Sequence, residues 1–205
     1  WDCGLDHGAY NELGDDLTQR PARFMFFPYN VPNVLALTRV ACTNHAYGCA
    51  YRGYGSPQAY TASEALMDMM AEKMGIDPFE LRWRNIARPG DLNVNSFPFV
   101  DYPMERIMEV MKPIYDKAVA RAKAEDTPEK RRGVGIAWGG YNVTEGTADQ
   151  CTVAIELRED GKFVKYDTWQ DQGQGGDVGS LVCTLEALKP LGVTIDDIVL
   201  IQNDS

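Results

Sequence analysis

Twice along this chain a β-patterned run breaks into a glycine-rich stretch and restarts as a helix. In the first half, residues 31–43 are partly alternating and β-branched and read as a strand. Residues 44–55 hold three glycines and three tyrosines, a loop composition. Ser56 is then the expected N-cap and Pro57 the first helical residue. Ala62, Ala65, Leu66, Met69, Met70 and Met74 recur at helical spacing until Gly75 stops the run. The spacing predicts that this stripe, methionines included, packs into a core.

In the second half, strands are predicted over 133–140, 150–158 and 162–169, with Asp160-Gly161 as a hairpin turn. A glycine-rich stretch follows, then a helix over 177–188 and a last strand from Ile198. Between the halves, Asp77-Pro78 opens a helix with Phe79, Leu81, Trp83 and Ile86, ended by Pro89-Gly90-Asp91. Residues 91–103 read as a surface loop. Residues 104–124 read as an amphipathic helix with Ile107, Val110, Met111, Ile114, Ala118 and Ala122 on its apolar side and a kink at Pro113. Residues 125–132 are charged and uncommitted, so the expected domains are 1–130 and 131–205, in a mixed α/β (α+β) fold.

Composition narrows the partners. Apolar residues make up 44% of the chain, enough for a core, and a net charge of −10 repels phosphate backbones, so no nucleic acid is expected. No apolar run approaches the ~18 residues of a membrane span; no membrane partner and a cytoplasmic location are expected. Cys3, Cys42, Cys49, Cys151 and Cys183 are widely spaced without a CxxC, and His7 and His45 are the only histidines, which argues against zinc. Cys42 and Cys49 frame a glycine-containing turn that could bring them together, but reduced thiols are the expected state. The opening Trp1-Asp2-Cys3-Gly4 and the closing strand-into-loop read as the ends of an internal piece.

Two stretches carry candidate chemistry. In Gly48-Cys49-Ala50-Tyr51-Arg52-Gly53-Tyr54-Gly55-Ser56-Pro57-Gln58, glycines permit close backbone approach, a helix N-terminus lies downstream, and Arg52 adds a fixed cation. These parts suit an anionic, oxygen-rich ligand beside an aromatic one; the alternative is a structural turn whose Arg52 pairs with a core carboxylate. The second stretch, Trp169-Gln170-Asp171-Gln172-Gly173-Gln174-Gly175-Gly176-Asp177-Val178-Gly179, leaves a strand and enters a helix. It is not a Rossmann fingerprint, since Val178 stands where a glycine is required, and it lacks the Lys-Ser/Thr of a P-loop. The Gln172 and Gln174 amides both donate and accept, which suits a heterocycle or oxo group better than bare phosphate; a structural turn stays open here too. Ser56, Ser63 and Ser180 have no nearby His and no GxSxG elbow. Glu64 is a candidate catalytic carboxylate, but a buried partner for Arg52 or Arg39 is the expected role. His45 is expected to be structural.

Residues 43–58 resemble the AFRG-F/Y-G motif, closed by Pro-Gln, of the molybdenum hydroxylases, the xanthine oxidase/aldehyde oxidoreductase family. Glu64, Asp68, the run Gly75-Ile76-Asp77-Pro78-Phe79-Glu80-Leu81-Arg82, Asn85 and Gly90-Asp91 resemble that family's following helices, and Gln172-Gly173-Gln174-Gly175 its second pterin loop. The similarity spans essentially the whole chain and is strongest to aldehyde oxidoreductases of sulfate-reducing bacteria.

The resemblance implies molybdenum held by the dithiolene of a molybdopterin, expected as the cytosine dinucleotide, with the protein supplying hydrogen bonds rather than metal ligands. Ala50, Tyr51 and Arg52 would offer backbone donors to the pterin and the metal's oxo or sulfido groups. Gln172, Gly173 and Gln174 would bond to the pterin and its phosphate, and Tyr54 would flank the substrate. Tyr51 stands where Phe is usual, and its hydroxyl needs a partner if buried. Gln172 stands where the aldehyde enzymes carry His, which removes a titratable group. The family's catalytic Glu and nucleotide-gripping segments would follow residue 205, its glycine–phenylalanine loop would precede residue 1, and the iron–sulfur clusters would lie outside this chain. No catalytic residue and no metal ligand are therefore expected here, and the piece alone is expected to be inactive. The parent reaction implied is hydroxylation of an aldehyde or N-heterocycle with water as oxygen source, the protein positioning and tuning the cofactor. The parent is expected to be a homodimer. On this reading residues 1–130 close one molybdopterin-binding domain, residues 131–205 open a second, and the bends around Arg52 and Gln174 face one pterin. The competing readings are a flavin or nicotinamide site on the Gln172–Gly179 loop and a non-enzymatic interaction module.

Overall fold

A computed structural model of the protein describes residues 1–10, 13–48, 50–100, 102–141, 152–169 and 171–202. The chain divides into two units, Trp1–Tyr141 and Asn142–Ser205. Helices and short strands mix in both, the α/β character the sequence predicts.

In the first unit, β1 (Asp2–Asp6) pairs in parallel with β2 (Leu37–Ala41), Asp2 opposite Leu37 and Asp6 opposite Ala41. Parallel neighbours need a crossover, and α1 (Gly14–Phe24) lies within it, burying Gly14, Thr18, Pro21 and Phe24. The strand expected over 31–43 shrinks to five residues because its partner is five residues long and because Pro32 cannot donate to a ladder.

α2 (Ser56–Met74) stops at Gly75, whose left-handed backbone returns its N–H to Ala71 and Glu72. Its N-cap is Gly55, not Ser56: the Ser56 hydroxyl donates backward to the Gly53 carbonyl at 2.7 Å, inside the first turn. The face it buries also differs from the expected one. Ala59, Ser63, Glu64, Met67 and Ala71 are buried, whereas Ala62, Ala65, Leu66, Met69 and Met74 are exposed and Met70 is half-buried. Polar side chains with fixed partners displace the apolar stripe from the core.

Asp77 caps α3 (Pro78–Asn85), its carboxylate accepting from Phe79 N at 2.9 Å and Glu80 N at 3.1 Å. The helix ends ahead of Pro89 because the chain leaves it to pair with residues 28–30: Asn30 N donates to Asn85 O, Ala87 N to Pro28 O, and Ile86 bridges Tyr29. α4 (Met104–Ala124) runs helical through Pro113. It buries Met104, Met108 and Tyr115, while Ile107, Val110 and Ile114 of the expected stripe are exposed. The core comprises Tyr29, Met67, Ala71, Phe79, Leu81, Ile86, Met104, Met108 and Tyr115.

Val134, Ile136 and Trp138 pack against this core, but the strand expected over 133–140 does not form. Its backbone is tied to side chains instead: Trp138 N donates to Glu64 Oε2 at 3.0 Å and Gly140 N to the Tyr60 hydroxyl at 3.1 Å, while that hydroxyl donates to Gly140 O. Burial pushes the Tyr60 phenol up to about 12, with the Glu64 charge adding and the Gly140 bond opposing. The folded value exceeds the unfolded tyrosine value of about 10. The neutral phenol's contribution to stability is therefore complete below that unfolded value and is lost as pH rises through about 12. In an alkaline absorbance titration, Tyr60→Phe should remove one tyrosinate step near the upper value. Loss of an ordinary step instead would show that the Tyr60 phenol is not buried in solution.

In the second unit, β3 (Ala154–Leu157) runs antiparallel to β4 (Phe163–Asp167), with Gly161 at positive φ in the turn between them. β5 (Ile198–Gln202) lies parallel on the other side of β4. α5 (Gly176–Leu188) fills the β4–β5 crossover. Residues 150 and 151 of the expected strand over 150–158 lie outside the described residues.

Candidate functional site

The first glycine stretch is the link from β2 to α2, and its described part is residues 44–48 and 50–55; Cys49, and with it the Cys42–Cys49 question, lies outside the described residues. The root of the loop is fastened to the end of β1. The Asp6 carboxylate accepts Gly8 N at 2.9 Å, the Thr43 hydroxyl at 2.8 Å and His45 Nδ1 at 2.6 Å. Those hydrogen bonds, the Gly8 amide foremost, hold the exposed Asp6 carboxyl below the ordinary carboxylate range. His45 is thus a structural brace, as its loop position suggests.

Beyond that root the chain bends sharply. Gly53, Tyr54 and Gly55 take φ of 102°, 42° and 92° in succession, a sequence of left-handed residues that glycine permits cheaply. Tyr54 N donates to Tyr51 O and Ser56 N to Gly53 O, both at 2.9 Å. The bend leaves Ala50, Tyr51 and Arg52 exposed at the amino end of α2. Tyr51 is 86% exposed, so its hydroxyl demands no buried partner. Tyr54 is half-buried, and the Arg20 guanidinium lies 5.1 Å from its ring centroid, a cation–π contact that fixes the ring's face. Arg20 also pairs with Asp16 at 3.4 Å.

Glu64 is the core carboxylate of this unit, but its partner is neither Arg52 nor Arg39. Arg82 Nε reaches Glu64 Oε2 at 2.8 Å, and Arg39 pairs with Asp2 across the β1–β2 edge. Arg82, inside the sequence motif yet given no role from it, is the residue that sequence reasoning missed. The arginine four residues beyond an N-capping Asp-Pro was the available signal.

The second glycine stretch runs from the end of β4 to the start of α5. At its root, Asp167 Oδ1 accepts Trp169 N at 3.2 Å, while Oδ2 accepts the Ser180 hydroxyl at 2.7 Å and the Lys165 ammonium. Lys165 and Asp167 are both buried. Burial opposes ionisation of Asp167, and the Lys165 and Ser180 bonds overcome it to hold the carboxyl low. At its tip, Asp171 Oδ1 accepts Gly173 N at 2.6 Å and Gly175 N at 3.4 Å, and Gln172 N donates to Gln174 Oε1 at 2.6 Å. The Gly173 amide, followed by those of Gly175, Asp177 and Gly176, holds the Asp171 carboxyl below its ordinary value. Gln172, Gly173 and Gln174 are all exposed. Asp171 was not singled out from the sequence. An Asp two residues before a glycine at positive φ is a turn-forming pattern that would have found it.

Among the described residues, no group of three His, Cys, Asp or Glu side chains is arranged to hold a metal ion. The exposed donors of the two loops are amides, a guanidinium and backbone N–H groups. Within each loop, donors of that kind suit an organic ligand rich in oxygen and nitrogen.

Comparison with known proteins agrees with this chemistry. Residues 1–86 match one molybdopterin cofactor-binding domain and residues 110–205 match a second. The aldehyde oxidoreductase of Megalodesulfovibrio gigas is 42% identical over 194 residues, 95% of this chain and 21% of that protein. The molybdenum-binding subunit of a xanthine dehydrogenase of Escherichia coli O157:H7 is 27% identical over 204 residues, 95% of this chain and 26% of that protein. The crystal structure of the aldehyde oxidoreductase from Desulfovibrio desulfuricans superposes with a TM-score of 0.89 at 40% identity, covering 98% of this chain and 22% of that one. The chain thus spans between 21% and 26% of the length of these relatives.

Proposed function

The chain belongs to the xanthine oxidase/aldehyde oxidoreductase family, as part of its two molybdopterin-binding domains, and from that premise we propose that it builds part of the cofactor pocket of a molybdenum hydroxylase. The observation that carries the proposal is the left-handed bend at Gly53-Tyr54-Gly55, which sets Ala50, Tyr51 and Arg52 out on the surface at the start of α2. The first unit, Trp1–Tyr141, contributes to one domain and the second, Asn142–Ser205, to the other, so that residues 131–141, expected in the second, fall in the first. In the first unit the bend offers Ala50, Tyr51 and Arg52 to a molybdopterin, and in the second unit the Gln172–Gln174 turn offers its own polar groups to one. Tyr54 flanks the substrate, its ring steadied by Arg20 at 5.1 Å.

When bound, the molybdenum cofactor supplies the redox chemistry that hydroxylates an aldehyde or N-heterocycle with oxygen from water. What this chain adds is binding and orientation. Arg52 would offer its guanidinium to the oxygens of the cofactor. The exposed amides of Gln172 and Gln174 match donor and acceptor positions on a heterocycle edge. The catalytic base, the iron–sulfur clusters and the grip on a cytosine nucleotide come from elsewhere in a larger, homodimeric cytoplasmic enzyme. No helix among the described residues is long and apolar enough to cross a membrane.

Arg52→Ala tests the assignment. In the parent enzyme, produced in cells that make the cofactor, this variant should lower molybdenum content, turnover or both, with no change in the fold of α2. Wild-type metal content together with wild-type turnover would remove Arg52 from the pocket.

A further inference from the structure

Residues 134–140 keep the alternation of a strand without the ladder of one. Val134, Ile136, Trp138 and Gly140 are half-buried, and Gly135, Ala137 and Gly139 between them are exposed. A backbone of period two turns one face to its support, and here the support is the first unit, whose core takes Val134, Ile136 and Trp138.

The carboxyl end of this segment is held differently from its middle. At Trp138 the backbone N–H enters the Glu64 carboxylate at 3.0 Å, and Glu64 is itself fixed by Arg82 and Tyr29 in the core. At Gly140 the partner is a single half-buried phenol: Tyr60 accepts Gly140 N at 3.1 Å and donates to Gly140 O. Tyr141 then stacks on Phe24 with ring centroids 5.0 Å apart, yet stays 49% exposed. The seat is close enough to require glycine. A Cβ on Gly140 would fall 3.1 Å from the Phe27 ring, and one on Gly139 would fall 3.4 Å from the Tyr60 ring. An end held by neutral bonds near the surface opens at lower cost than the unit that carries it.

We propose that residues 139–141 form a strap that opens and closes on the first unit without unfolding it, with the Tyr60–Gly140 pair as its latch and the Trp138–Glu64 bond as its fixed end. Opening lifts Tyr141 from Phe24, which is only 1% exposed beneath it. Phe24 stands one turn along α1 from Arg20, the residue that lies over the Tyr54 ring. An open strap therefore uncovers an apolar ring beside the proposed substrate face. That consequence rests on the function proposed above; the latch does not.

Native-state hydrogen exchange of the full chain, read amide by amide, tests the strap. In the wild type, Gly140 should exchange faster than Trp138 and without dependence on low urea. Trp138 should follow the amides of Leu81 and Ile86, which bond to Asp77 O and Arg82 O around α3, and accelerate as urea rises. Tyr60→Phe removes the latch and should speed exchange at Gly140 about tenfold, the factor for one lost hydrogen bond, with Trp138 unchanged. Gly140→Ala keeps the phenol but wedges a methyl against Phe27, and the amide at 140 should again exchange faster after correction for its intrinsic rate. Equal rates and equal urea dependence at Gly140 and Trp138 in the wild type would overturn the proposal, since the segment would then open only with the whole unit. An amide at 140 as protected in both variants as in the wild type would overturn it too. The wild-type comparison decides even where a variant fails to fold. No cofactor enters the measurement, so its failure is distinct from failure of the molybdenum analysis.

Discussion

Arg82→Met is expected to cost the first unit about 3–5 kcal/mol, the range for breaking a buried ion pair from one side. Arg82 is fully buried, and its guanidinium is held by hydrogen bonds. Its Nε meets Glu64 Oε2 at 2.8 Å, Nη1 meets Asp68 at 2.8 Å and Pro78 O at 3.2 Å, and Nη2 meets Glu64 O at 3.1 Å. Glu64 in turn accepts the Tyr29 hydroxyl at 2.7 Å and Trp138 N at 3.0 Å. One guanidinium thus joins α2, α3 and the segments around residues 29 and 138. Methionine replaces its volume but strands the Glu64 carboxylate in a site that only 5% of its surface escapes.

Two controls separate this network from charge in general. The exposed Arg84–Glu80 pair, although 2.6 Å long, should yield under about 1 kcal/mol when Arg84 becomes alanine. The double variant Arg82→Met, Glu64→Met should recover part of the loss, because no lone charge remains buried. The measurement is the urea midpoint of each variant. An Arg82→Met midpoint no lower than that of Arg84→Ala would show the network to be ornamental.

The same network explains where sequence reasoning reached and where it stopped. Helix ends follow local chemistry, and Gly75 and the Asp77-Pro78 cap are legible because each acts within a turn of itself. Helix faces depend on tertiary partners. The apolar stripe Ala62, Leu66, Met69 satisfies the helical period, yet the core takes Ser63, Glu64 and Met67 from one position over because Arg82 and Trp138 meet Glu64 there. β1 is invisible for a related reason. Its alternation of Cys3 and Leu5 between Asp2, Gly4 and Asp6 offers only two apolar residues, too short a signal, and it is held by pairing with β2 and by the Asp6 carboxylate at its end. The two bends of the candidate site were legible as glycine punctuation between a strand and a helix. The Asp171 carboxylate was passed over, although an Asp two residues ahead of Gly173 is a local turn signal of the same kind.

Gly55→Ala should destabilise the first unit by on the order of 2–4 kcal/mol, from left-handed strain and overpacking together. Gly55 has φ of 92° and caps α2. A Cβ there would lie 2.7 Å from Arg20 Cβ and 2.9 Å from Pro21 Cδ, both on α1. Neither neighbour is the free end of a side chain, so α1 must move away from α2. That displacement would also lift Arg20 from the Tyr54 ring, now 5.1 Å away, and so disturb the proposed substrate face along with stability. Gly75→Ala is the matched comparison: its φ is 65°, it also ends a helix, and nothing lies within 4 Å of the added carbon. Only the backbone penalty of about 1 kcal/mol then applies. Thermal midpoints of the two variants should differ in that order, and in the parent enzyme only Gly55→Ala should also lower molybdenum content. Equal midpoints would mean that α1 yields without cost, and the close packing of Arg20 and Pro21 on the bend would then have no part in holding the site.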